Sequence, residues 1–428
     1  MTDVHPIERT VIDTIDTDGL LAFLGDLVAL PSLDGSPDEQ AAQEYVAAFL
    51  ERQGFEMDVW EIDFDTLRRH PSFSAEVERQ RGSGVVGMLG MGAGPTLIFN
   101  GHVDVVPAGD QALWHFPPWQ TTIADGFVYG RGALDMKGGL ACAVFAAKAI
   151  RDAGVRLKGR LLIQSVIGEE DGGCGTLATV LRGHTGDGAI VVEPTGLCIA
   201  PAQAGALNFR LTVPGAAAHG CVREEGVSAI ELFIPLYRAL MDLEARRNAE
   251  ARRRDDAVSR LYARYTTPYA LSIGVVRAGE WASTVAETLV AEGRYGVAVG
   301  ENLAEARRML EETVARAAQA DPWLREHPPR LEWWGGQFAP ASTPLEHPLV
   351  ETTAAAFAAI TGVPATLEGM TYGADMRLLV HDGRTPTILF GPGDVRDAHR
   401  PNERVAIADL ETATRTLALT ALRFCGAG

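Results

Sequence analysis

The sequence lacks what several classes of protein require. Its five cysteines (Cys142, Cys174, Cys198, Cys221 and Cys425) are odd in number and scattered, with no C-x-x-C pair, so no disulfide framework is expected. A reducing cytoplasm is the compartment that fits this usage. No apolar run reaches the ~18 residues needed to span a bilayer. The N-terminal stretch MTDVHPIERTVIDTID is acidic, where a secretory signal would be basic and then apolar, so no signal is expected. Positive charge is in deficit: 38 lysines and arginines face 56 aspartates and glutamates, giving a formal net charge of −18. That balance favours solubility and argues against a nucleic-acid partner, whose phosphates need a basic face. The arginine-rich run ARRRDDAVSRLYARY is interleaved with acids and reads as a solvated helix face. The 428 residues are too many for one typical core, so two domains are expected.

Periodicity supplies the outline. Residues 17–55 read as two helices broken at Pro31–Pro37, with Leu21, Leu24, Leu27 and Val28 at helical spacing. VVGML (85–89) and PTLIFNGHVDVV (95–106) read as strands. The glycines at 90, 92 and 94 between them mark a turn, because a nucleotide loop would open a helix instead. A small-residue helix (138–154), a strand (160–168) and a short strand (188–194) follow. Alternating helices and apolar strands predict an α/β sheet covered on both faces. From about residue 205 the order becomes strand 206–215, helix 226–262, strands 269–279 and 287–299, helix 303–319 and strand 329–336. That β-α-β-β-α-β order is that of a ferredoxin-like sandwich. The α/β pattern then returns with helices 347–361 and 374–382, strand 385–391 and helix 406–424.

Metal-binding residue types collect where strands end or glycine-rich loops begin, the usual place for ligands on an α/β sheet. NGHVDVVP carries His102 and Asp104, two apart, so Asp104 is placed to hydrogen-bond the His102 ring; a structural His–Asp pair reads the same way. In YGRGALDMKGG, Asp135 precedes a helix and is either a ligand or a helix cap. SVIGEEDGGCGT puts Glu169, Glu170 and Asp171 side by side after an apolar strand. Such a trio repels itself unless a cation compensates or water solvates it. Glu193 ends a strand in VVEPTG, and His399 lies in the loop GPGDVRDAHRPNERV. Either of these two alone reads equally as structural.

Taken in order, GHVDVVP, GRGALDMKGG, GEEDGG, VVEPTG, AAAHG and FGPG…AHRPNE resemble the M20 metallopeptidases, the family of acetylornithine deacetylase, succinyl-diaminopimelate desuccinylase, aminoacylase and glutamate carboxypeptidases. The resemblance implies a mixed-sheet catalytic domain of the di-zinc aminopeptidase type, from residues 1–204 and 338–428. It also implies an inserted ferredoxin-like lid and dimerisation domain, 205–337, suited to a two-fold homodimer. Asp135 would bridge two metals, with His102 and Glu193 completing one and Glu170 and His399 the other. Glu169 would be the general base, Asp104 would orient His102, and His219 would steady the transition-state oxygen. A cis peptide is implied at Asp135–Met136.

The chemistry is coherent in its own right. Imidazole and carboxylate ligands without thiolate suit Zn²⁺, with Co²⁺ or Mn²⁺ as replacements. Two cations about 3.5–4 Å apart activate water near neutral pH. The substrate is less legible. Arg277, in GVVRAGEWASTVAE, and Arg377, in TYGADMRLL, are candidates to bind a substrate carboxylate, or are structural ion pairs such as Arg377 with Asp375. Many family members have an asparagine-containing NVVP-like stretch where this chain reads STVAE (283–287). GDQALWHFPPW (109–119) and GEWASTVAE are more like acetylornithine-deacetylase relatives than like aminopeptidases. The expected reaction is therefore hydrolysis of a small N-acyl amino acid. The alternatives are a di-, amino- or carboxypeptidase, or a formyl- or carbamoyl-amide hydrolase, with the same metals. Trp114, Phe116 and Trp119 are read as loop anchors.

Overall fold

A computed structural model describes residues 4–90 and 92–427; the first three residues of the N-terminal stretch read above lie outside the described residues. Among them, no helix is long and apolar enough to cross a membrane. The chain divides into two compact units. One comprises the described residues up to Ala202, Ser342–Met370 and those from Ala374 onward. The other is Gln203–Ala341 with Thr371–Gly373.

The first unit is built on a nine-stranded mixed sheet. Its centre is four neighbouring parallel strands: Arg160–Val166, Thr96–His102, Gly188–Val191 and Thr387–Leu389. Their residues are almost all buried, as expected of strands covered on both faces. In register, His102 pairs with Val166 and Asn100 with Val191, so the carboxyl ends lie nearly level. The loops leaving those ends therefore meet along one edge of the sheet.

Two helices pack together on this sheet, Lys137–Asp152 and Ile407–Cys425. The first is buried on nearly every side. It comes close because Gly139 has no side chain: a Cβ there would lie 1.9 Å from the Val192 carbonyl oxygen. The break read at Pro31–Pro37 is a true one. Ser36 caps the helix Pro37–Arg52 by accepting from the Glu39 amide at 3.3 Å, with Pro37 in the first turn.

The second unit holds a four-stranded antiparallel sheet in the order Leu271–Ala278, Thr288–Val297, Gly205–Pro214, Arg330–Phe338. With its two long helices, this is the split β-α-β arrangement. Leu207, Phe209, Leu211 and Val213 alternate inward from the strand. They meet Leu232, Leu236, Leu240 and Leu243, which form one stripe of the helix Ala229–Arg253. The single helix expected over 226–262 is in fact two. Arg254 turns extended, and Asp256 caps a new helix, Ala257–Leu261, by accepting from the Ser259 amide at 2.7 Å.

Candidate metal centre

The loops at the level strand ends bring seven ionisable side chains together. His102 closes its strand with a ring only 1% exposed. Its Nδ1 lies 2.9 Å from the Asp104 main-chain carbonyl oxygen and 3.8 Å from the Asp104 carboxylate. The ring contact is thus to backbone, where the sequence pointed to the side chain. The reason is local. The strand stops at His102, so two-residue alternation no longer governs position 104. The Asp104 carboxylate instead accepts the Glu170 amide at 3.0 Å.

Asp135 lies at the middle. One oxygen is 3.4 Å from His102 Nε2 and the other 3.3 Å from His399 Nε2. His399 Nε2 is also 3.0 Å from Glu170, on the more open side, where the imidazole is half exposed. On the buried side, His102 Nε2 is 3.9 Å from Glu193 and 4.0 Å from Glu169. The Asp135–Met136 peptide is cis, as implied by the resemblance.

The electrostatics of this cluster are strained by crowding. Burial, and then the neighbouring Glu193, push Glu169 well above the usual carboxylate range. Burial, and then Asp135, do the same to Glu193. Glu170 above all raises His399, to about 11. Burial works against a charge on His102, but Asp104, Asp135 and the glutamates overcome it. Burial would raise Asp135 as well, yet the two imidazoles hold it low. Carboxylates in such excess, deep in a protein, retain protons or take up cations.

The donors fit divalent cations. His102 Nε2 is buried, makes no hydrogen bond, and faces three carboxylates. Two overlapping groups, His102–Asp135–Glu170 and His102–Glu169–Glu193, have donor atoms close enough to share an ion. Asp34, Glu39 and Asp104 also come together, but the Arg79 guanidinium already pairs with Asp34 and Glu39.

Of the other residues singled out in the sequence, Arg377 belongs to the same unit. It is 3% exposed and donates to the carbonyls of Gly172, at 2.6 Å, and Ser72, at 3.4 Å. His219 and Arg277 belong to the second unit. His219 starts the turn Gly220–Glu225, its Nδ1 accepting from the Cys221 amide at 3.2 Å. Arg277 is largely exposed, 3.6 Å from Glu292. Trp114 anchors its loop through Nε1 to the Ala108 carbonyl at 2.9 Å, under the Arg131 guanidinium.

Two residues lay inside quoted motifs without a role. Glu403, fully buried, accepts the amides of Leu134 and Asp135 at 3.1 and 3.2 Å. Its other oxygen pairs with buried Arg131. It stands four positions after His399 and so ties that loop to the Asp135 loop. We expect Glu403→Ala to cost about 3–5 kcal/mol, because it strands a buried guanidinium and two amides. Glu403→Gln, which keeps the acceptor, costs less. Urea melts of the two variants check the order.

The profile of peptidase family M20/M25/M40 matches residues 98–423. An N-formyl-4-amino-5-aminomethyl-2-methylpyrimidine deformylase of Halalkalibacterium halodurans is 30% identical, over 95% of this chain and 94% of its own. The Bacillus subtilis deformylase of the same description is 28% identical, over 90% and 89%. The solved di-peptidase Dug1p of Saccharomyces cerevisiae superposes with a TM-score of 0.77 at 15% identity, covering 98% of both chains.

Proposed function

Because the chain belongs to peptidase family M20/M25/M40, we propose that it is a hydrolase using two divalent cations, Zn²⁺ first among them, to cleave the amide bond of a small N-acylated amine. The observation that carries this reading is the Asp135 carboxylate, with one oxygen toward each of His102 and His399. That is the disposition wanted of a bridging ligand, with Glu193 on the His102 side and Glu170 on the His399 side. When bound, the cations polarise the scissile carbonyl and lower the pKa of water.

The remaining work falls to side chains. Glu169, a buried carboxylate of raised proton affinity, takes a proton from the attacking water and passes it to the leaving nitrogen. The Asp104 carbonyl fixes the His102 ring so that Nε2 faces the carboxylates. His219 is proposed as the donor to the developing oxyanion.

For the substrate, two deformylase relatives spanning nine-tenths of the chain favour a formyl or similarly small acyl group over the acetylornithine-like choice made from the motifs. An N-acyl amino acid remains within this class, with Arg277 as the exposed cation for its carboxylate. Arg377, committed to two carbonyls, supports bracing instead. The test is a panel of N-formyl, N-acetyl, N-succinyl and N-carbamoyl amines and amino acids beside dipeptides. Release of amine from one acyl class is expected. Cleavage of dipeptides alone would overturn the reading.

We also propose a homodimer formed through the second unit. Ile230, Ile234 and Tyr237 form an exposed stripe on Ala229–Arg253, and Val276 is exposed on the edge strand Leu271–Ala278. Ile234→Asp is expected to shift sedimentation from dimer to monomer. A wild-type monomer would contradict the proposal.

A further inference from the structure

Glu169 and Glu170 sit in a tight turn between the strand Arg160–Val166 and the helix Cys174–Leu181. Main-chain bonds close it: the Gly172 amide donates to the Glu169 carbonyl at 3.0 Å, and the Gly173 amide to Gly168 at 2.6 Å. These bonds set the shape of the turn. They do not fix where it sits relative to His102 and His399.

The Asp104 carboxylate, two residues from His102, ties the Glu170 amide at 3.0 Å, and Arg79 supplies a second fixation from the other side of the pair. The arginine comes from an irregular stretch before the strand Ser83–Leu89, far from every motif, and its side chain is 2% exposed. Nε and Nη2 bind both oxygens of Glu39, at 2.9 and 2.8 Å, and Nη2 also bonds Asp34 at 2.5 Å. Glu39 stands in the first turn of Pro37–Arg52 and also accepts the Gly35 amide at 3.0 Å, so this end of the guanidinium is anchored. Nη1 is left to hold Asp171, at 2.7 Å. The same guanidinium lies against Gly168, where an added Cβ would stand 3.0 Å from Arg79 Cζ. Arg79 therefore touches the residue just before Glu169 and the residue just after Glu170. At the far end of the turn, Arg377 holds the Gly172 carbonyl at 2.6 Å.

We propose that Arg79 is a positioning residue for the hydrolytic centre, holding the Glu169–Glu170 pair in register with His399 and His102 through Asp171 and Gly168. The inference rests on the roles proposed above for Glu169 and Glu170. A planar fork with five donors suits the task; a lysine offers one point of charge and cannot bind Glu39 and Asp171 in the same fixed geometry. Deleting either end of the Arg79–Asp171 pair should thus disturb the same thing.

The test uses the full chain loaded with Co²⁺, as Arg79→Lys, Asp171→Ala and the double variant. Each single change is expected to lower kcat by about 10–100-fold with KM within about 2-fold, as when the support of a metal ligand is lost. The double variant is expected to be no slower than the worse single, because both break one linkage. The visible Co²⁺ absorption shifts in both singles as Glu170 moves against His399. Should Arg79→Lys fail to fold, Asp171→Ala decides alone: it removes the oxygen that accepts both Arg79 Nη1 and the Val77 amide, while Arg79 keeps its pairs with Glu39 and Asp34. An Asp171→Ala protein with wild-type kcat and an unshifted spectrum would reduce Arg79 to a fold stabiliser and overturn the proposal. If the wild type turns over no amide, the functional reading fails separately, and the spectrum still reports on the positioning.

Discussion

Glu169→Gln lowers kcat by about 10²–10⁴-fold and leaves KM nearly unchanged, because proton transfer is a transition-state task and contributes little to ground-state binding. Glutamine preserves the volume and an acceptor oxygen and removes only the ability to carry a proton. Glu169 suits that duty through its surroundings: burial, and then the neighbouring Glu193 carboxylate, raise its proton affinity and so its strength as a base. The variant should bind as much metal as the wild type, since His102, Asp135, Glu170, Glu193 and His399 are untouched. Metal content and turnover, measured together, separate a lost base from a lost ligand. Turnover retained in Glu169→Gln would place the base elsewhere.

Chelation has the second large effect, on activity and stability together. Stripping divalent ions is expected to abolish turnover, and adding Zn²⁺ or Co²⁺ to restore it. The stability loss follows from mass action: about 2.7 kcal/mol for each ion held at 100 times its Kd. The affinity should also weaken as pH falls. The ions must displace protons that the folded site holds above the normal range on two proposed ligands, Glu193 and His399, the latter raised to about 11. Thermal melts with and without chelator, at two pH values, report both trends. A melting temperature indifferent to chelator would remove the metal from the account.

What the sequence made legible was the central sheet and the loops at its edge. His102, Glu169 and Glu193 each follow an apolar run whose burial on both faces marks a central strand, and the strand register then brings their loops together. Polar and edge elements were harder to read. The strand Glu56–Glu61 mixes acidic and apolar residues at the margin of the sheet, with Val59 exposed, and shows none of the long apolar run that identifies a central strand. Ile199–Gln203 hides behind its proline. Contacts distant in sequence were invisible for a simpler reason. Arg79 meets Asp171 92 residues away and Glu403 meets Arg131 272 residues away, and neither pair leaves a local pattern. Asp104 does meet the His102 ring, but through its main-chain carbonyl, since side-chain alternation does not extend past the end of the strand.

Whether two ions drive the hydrolysis is read by titrating stripped protein with Zn²⁺ while amine release is followed from an N-formyl amine and an N-acetyl amino acid. No release is expected without metal, then a rise that continues until two equivalents are bound, with Glu169→Gln slower by about 10²–10⁴-fold throughout. Release that is undiminished in the stripped protein, or absent with both ions bound across every acyl class, would contradict two-ion hydrolysis.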